Sequence, residues 1–210
     1  MKDLVSVVKE HLPEIMYNQA VLEIIDVTKD EFYDICNGIY PERVDDFNLT
    51  KCLNLIKTWD FILDKETLNK KIDIDLLLKV NKLVNDNIMI DAGMIRFTQV
   101  KISGSWYIPP LPTVEMVKRD VEAILTSNDD DILKAINLCL YIMKKQVFSD
   151  GNKRCGVIMC NHYLISHNLG YLTIPENEVR NFRNMLVDYY EDTNINKLIT
   201  FMKNVCFRKF

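Results

Sequence analysis

The sequence predicts an all-α fold, a helical core carrying one β-hairpin, and two observations lead there. Only 6 glycines and 6 prolines punctuate the 210 residues. Over most of that length apolar residues recur at the three- and four-residue spacing of helices with one buried face. A single stretch, 95–108, breaks the period and alternates from side to side instead, with β-branched and aromatic residues throughout.

Helical spacing marks 4–9, 13–25, 29–37, 44–63, 74–87, 113–125, 130–144, 152–168, 176–191 and 196–206. Thr28 followed by Glu31 has capping-box spacing, and Thr113 with Met116 is a weaker start. Between helices, Ile95-Arg96-Phe97-Thr98-Gln99-Val100-Lys101-Ile102 runs out, Ser103-Gly104 turns, and Ser105-Trp106-Tyr107-Ile108 returns until Pro109-Pro110 stops it. A lone hairpin is marginal, so it leans on helices or exists to pair with another chain by strand addition. Residues 1–65 read as an N-terminal helical extension and 66–210 as the core domain.

Composition narrows the function. A net charge of −4 argues against a general nucleic-acid binder, and 48% hydrophobic with 27% charged residues argues against disorder. No apolar run reaches the roughly 20 residues that span a bilayer, and Met1-Lys2-Asp3-Leu4-Val5 lacks a signal-peptide core. A cytoplasmic protein is expected where the chain is made, with signal-less secretion as the other route. The cysteines Cys36, Cys52, Cys139, Cys155, Cys160 and Cys206 have no CxxC spacing and read as buried free thiols. His11, His162 and His167 do not cluster as zinc ligands.

The chemistry concentrates in Gln146-Val147-Phe148-Ser149-Asp150-Gly151-Asn152-Lys153-Arg154, at the start of a helix. Free N–H groups and the positive end of the macrodipole make a helix start an anion site. Asp150 is a candidate Mg²⁺ ligand, since Mg²⁺ takes one or two carboxylates together with phosphate oxygens. Gly151, Asn152, Lys153 and Arg154 are the candidate phosphate cradle, with the two cations to neutralise charge.

This run resembles the signature of the Fic family, His-x-Phe-x-Asp/Glu-Gly-Asn-Gly/Lys-Arg. The likeness extends from about Ile74 to Cys206. Gly93-Met94-Ile95-Arg96 through Tyr107-Ile108-Pro109-Pro110 looks like the family's target-docking flap. Leu138 to Lys145 looks like the helix that delivers the signature loop. Asn161 and Gly170-Tyr171-Leu172-Thr173-Ile174-Pro175 resemble the segment closing the core. The resemblance implies a Fic-like helical core with one β-hairpin flap and a reaction that moves AMP from ATP, with Mg²⁺, onto a Ser, Thr or Tyr hydroxyl of a target protein. It implies Asp150 as metal ligand, Gly151, Asn152, Lys153 and Arg154 as nucleotide-phosphate binders, and Phe148 as the loop's anchor. Arg96, Thr98, Val100, Ile102, Gly104, Trp106 and Tyr107 match the flap that docks the target, and a homo-oligomer of this chain is a further expected partner.

Three positions depart from the pattern. Gln146 stands where the family has its catalytic histidine, and an amide cannot hold a proton near neutral pH, so transfer is expected to be impaired. Val157 stands where many members have a second arginine, and Lys153 replaces the commoner glycine, as in the Doc branch, whose members phosphorylate their targets. The alternatives are therefore an active nucleotidyl- or phosphotransferase using another base, and a non-catalytic interaction module. Gln19-Ala20-Val21-Leu22-Glu23-Ile24 resembles the family's inhibitory helix, Ser/Thr-x-x-x-Glu-Gly/Asn. Glu23 is kept there as the candidate regulatory residue, while Gln19 and Ile24 depart.

Overall fold

The computed structural model describes residues 3–210. Its helices are α1 (Leu4–Leu22), α2 (Lys29–Cys36), α3 (Asp46–Leu63), α4 (Lys65–Leu68), α5 (Ile74–Val84), α6 (Val114–Leu125), α7 (Asp131–Lys145), α8 (Asn152–Ser166), α9 (Val179–Tyr190) and α10 (Ile195–Phe201). A 3₁₀ turn (Glu176–Glu178) leads into α9, and a π-helical turn (Met202–Cys206) follows α10. Strands β1 (Gly170–Leu172) and β2 (Phe207–Lys209) pair antiparallel, with Tyr171 opposite Arg208. The helical fold expected from the apolar period is the fold observed.

Helix starts follow their local chemistry. Thr28 and Glu31 form the reciprocal capping box, and the Thr113 hydroxyl accepts the Met116 N–H at 3.2 Å. Asp3, Asp45, Asp73 and Asp130 each accept an N–H of the first turn. The helices expected at 4–9 and 13–25 are one continuous helix, α1, with Pro13 inside it. Leu4, Val8, Leu12, Ile15 and Met16 form one buried stripe across it, and burying that stripe offsets the backbone bond that proline cannot make.

Helix α8 is the axis of the molecule. Every residue from Arg154 to Ile165 is buried, as in a helix enclosed on all sides, and α1, α3, α5 and α7 lie against it. One hydrophobic cluster joins α1, α2, α3 and α5 to Ile158 and Met159, and a second joins α7 and α9 to Val157, Cys160 and Leu164. Gly156 lets α7 approach closely, because a Cβ there would lie 2.9 Å from the Cys139 carbonyl oxygen.

The strand expectations need correction. Segment 95–108 turns where expected, with Gly104 at φ +80° and the Ser105 N–H on the Ile102 carbonyl at 3.2 Å, but its arms do not pair. The Arg96 guanidinium takes the carbonyls of Thr98, Pro109 and Pro110, and neither proline can donate. An isolated two-stranded ribbon also gains little in water. The antiparallel pair is instead β1 with β2. Residues 202–209 leave the α-helical pattern expected up to 206 and double back onto β1. Gly170 permits that pairing, since a Cβ there would fall 2.0 Å from the Arg208 carbonyl oxygen.

Candidate functional site

The loop between α7 and α8 crosses in a left-handed step at each end. Gln146 closes α7 at φ +47°, and Gly151 opens α8 at φ +79°. Asn152 fastens the two ends together. Its Oδ1 accepts the Phe148 N–H at 2.9 Å, while its Nδ2 donates to the Phe148 carbonyl at 2.8 Å and to Gln146 Oε1 at 3.1 Å. The Gln146 amide donates to the Met143 carbonyl at 2.6 Å. Phe148 is buried at 1% exposure, the anchor expected of it.

Asp150 is held by its backbone and left partly open at its carboxylate. Its carbonyl accepts from Asn81 and Asn85, each at 3.0 Å. Its Oδ2 accepts from Arg154 at 2.9 Å, and its side chain keeps 42% exposure. Arg154 itself is buried, donating also to the Val84 carbonyl at 3.1 Å and to Asn85 Oδ1 at 3.2 Å. It ties α5 to α8 and points its charge at Asp150 rather than into solvent. Gly151 carries no side-chain cap, which leaves first-turn N–H groups of a long helix open to an anion. A Cβ at Gly151 would meet Asn85 Nδ2 at 2.9 Å on the inner side.

Lys153 is the cation on the outer side of this helix start. It is partly exposed and lies 3.4 Å from Glu23 Oε2 at the end of α1. Glu23 is largely enclosed, and its Oε1 has no hydrogen-bond partner. Gln19, one turn earlier, is bound into the core, donating to the Arg154 carbonyl at 2.9 Å and accepting the Trp59 indole N–H at 2.9 Å.

The flap is bound to the same loop at its base. The Arg96 N–H donates to the Val147 carbonyl at 3.1 Å, and its guanidinium reaches the carbonyls of Gln146 and Lys145. Arg96 is 1% exposed, and burial pulls its pKa down. It fixes the flap rather than facing outward. Thr98, Gly104 and Trp106 are exposed, Trp106 at 93%, while Val100, Ile102 and Tyr107 are half-buried. At the tip, Glu191 Oε1 accepts from the Ser105 hydroxyl at 3.0 Å and the Trp106 N–H at 2.9 Å.

Asp150, Gly151, Asn152, Lys153, Gln146 and Glu23 thus converge on one end of α8, with the flap's base beside them. Asn81, Asn85 and Asp91, which receives the Ser149 hydroxyl at 2.5 Å, belong to the site and were missed from sequence. Two amides four residues apart on a largely apolar helix were the available signal for the first two. Among the described residues no group of three or more His, Cys, Asp or Glu could hold a metal. Asp150 therefore suits Mg²⁺ only where phosphate oxygens complete the shell. No helix among them is long and apolar enough to cross a membrane.

A family model described as the Fic/DOC family matches residues 71–164. No curated protein matches the chain. Among solved structures the chain is similar to Fic-1 of C. elegans, residues 134–508, with a TM-score of 0.72 at 20% identity over 92% of this chain and 64% of that one. It is similar to a Fic domain containing signaling protein from Bacteroides thetaiotaomicron, with a TM-score of 0.72 at 14% identity over 93% and 81%. It is also similar to a Fic family protein from Desulfovibrio desulfuricans G20, with a TM-score of 0.71 at 13% identity over 88% and 59%. At these identities the likeness is one of fold, and the chain spans less than two thirds of the length of the first and the last.

Proposed function

We propose, from the match of residues 71–164 to the Fic/DOC family model, that this protein binds ATP with Mg²⁺ at the start of α8 and docks a target protein through the flap. Transfer of AMP to a target hydroxyl is then held back by Gln146. The observation that carries this reading is the uncapped start of α8, where Gly151 leaves N–H groups unclaimed between a half-open Asp150 carboxylate and Lys153. An anion gains there from both the N–H groups and the macrodipole. Asp150 would hold Mg²⁺ together with the nucleotide, and the ion would supply positive charge to offset that of the phosphates.

Gln146 hydrogen-bonds within the loop and cannot take the proton of an attacking hydroxyl. Its left-handed backbone suits histidine, a residue enriched in that region, so Gln146→His fits the loop without added strain. Calorimetric titration of the purified protein with ATP and Mg²⁺ tests the binding, and Asp150→Asn should remove its metal-dependent part. Gln146→His should raise transfer of AMP or phosphate, onto the protein itself or a supplied target, by about 10²–10⁴-fold. No nucleotide binding would favour the non-catalytic interaction module, and strong transfer by the unmodified chain would favour a transferase using another base.

Glu23 supports a regulatory role in the same reading, because it occupies Lys153 and keeps one carboxylate oxygen unpartnered. A nucleotide phosphate would compete with Glu23 for that lysine. Glu23→Gln should tighten Mg-ATP binding by about three- to tenfold, read by the same titration.

A further inference from the structure

We infer that Glu191 is a latch that holds the flap's return arm on the end of α9 and leaves only the outgoing arm free to receive a strand. The inference rests on the reading of 95–108 as a docking flap, and it assigns Glu191 as a positioning residue for that docking.

The two arms are held very differently. On the return arm, Glu191 Oε1 accepts both the Ser105 hydroxyl at 3.0 Å and the Trp106 N–H at 2.9 Å. The Tyr107 N–H is taken in turn by the Ser105 hydroxyl oxygen at 3.1 Å. The Tyr107 ring lies 5.2 Å from the Lys144 ammonium, which donates to the Tyr189 carbonyl at 3.1 Å and pairs with Asp192. Consecutive N–H groups of this arm are therefore satisfied by side chains, and its middle residue is clamped between α7 and the turn after α9.

The outgoing arm has no such partners. From Phe97 to Ile102 no backbone N–H finds an acceptor among the described residues. Phe97, Thr98, Gln99 and Lys101 are exposed. The Thr98 carbonyl is taken by Arg96 and the Ile102 carbonyl by the Ser105 N–H, so what the arm offers to strand addition is its row of unpaired N–H groups. The arm is anchored at both ends, at its base by buried Arg96 and past its tip by Glu191. Anchoring lowers the ordering cost that a free loop would meet when a partner pairs with it. With Glu191 removed, the return arm is free to leave α9, and the outgoing arm loses its far support.

Hydrogen exchange measured by mass spectrometry on the full chain tests the latch without a partner. In the unmodified protein the Trp106 and Tyr107 amides should exchange more slowly than those of Gln99, Val100 and Lys101. Glu191→Ala should speed exchange at Trp106 and Tyr107 about five- to twentyfold, the scale of one charge-assisted hydrogen bond, with α7 and α8 unchanged. Glu191→Gln keeps an acceptor oxygen and should restore part of the protection. Equal exchange in the two arms of the unmodified protein, or no change on Glu191→Ala, would overturn the latch. Failure to bind Mg-ATP would sink the functional reading and leave the exchange result standing.

Discussion

Ile24 sits at φ +55° directly after α1, with its side chain 75% exposed. A β-branched residue in the left-handed region costs about 1–2 kcal/mol, and exposure returns little of that through burial. Ile24→Gly should therefore stabilise the protein, by about 0.5–1 kcal/mol after the entropy lost with glycine, as a higher urea midpoint at unchanged slope. Gly151 shows the opposite case. Its φ of +79° and the 2.9 Å approach to Asn85 make Gly151→Ala a double strain, worth about 2–4 kcal/mol of stability in the same measurement. Substitution there would also turn the start of α8, so nucleotide titration should weaken in parallel.

Among elements, the junction of α1 with α8 depends on one amide. Gln19 receives the Trp59 indole and donates to the Arg154 carbonyl, all within the core. Gln19→Ala would orphan a buried N–H and a buried C=O and should cost about 2–4 kcal/mol in urea unfolding. Gln19 occupies a position where the inhibitory-helix pattern has Ser or Thr, so what looks like decay of a motif in sequence is a structural bond in the fold. Elements set by their own few residues were legible, as Thr28 and Glu31 show at the start of α2. The flap's arms were not, because their alternation satisfies a strand pattern while Arg96 and Glu191, from the flap base and from beyond α9, decide where the backbone bonds go. The candidate site divides the same way. Its contiguous run at 146–154 could be read directly, whereas Asn81, Asn85 and Asp91 reach it only through tertiary packing.

For the whole molecule, pH and thiol chemistry report on the core. His162 is buried against the Thr67 carbonyl at 2.9 Å, and burial lowers its pKa below 6.5. The unfolded chain then binds a proton that the folded chain refuses, so stability is complete above about pH 6.5 and falls as the pH drops below it. Urea unfolding should show stability falling as the pH drops from about 7.5 to about 5.5, a fall largely absent in His162→Asn. The cysteines are free and, apart from half-buried Cys36, buried. Burial pushes the Cys155 thiol up to about 12, and such thiols are poor nucleophiles. A thiol reagent should label the native protein slowly and all six cysteines at once on unfolding.

The pairing of β1 with β2 has a consequence for the order of assembly. Strand β1 leaves α8 immediately, yet its one strand partner among the described residues follows after the whole of α9 and α10. While the chain emerges from a ribosome, the edge of β1 stays bare until β2 is free. Closure of such a distant pair carries the loop entropy of everything between, so the helices around α8 can gather first and the clasp at β2 completes them. During that interval the open edge is the place where a nascent chain would stick to a neighbour, and where a chaperone would find an extended segment to hold.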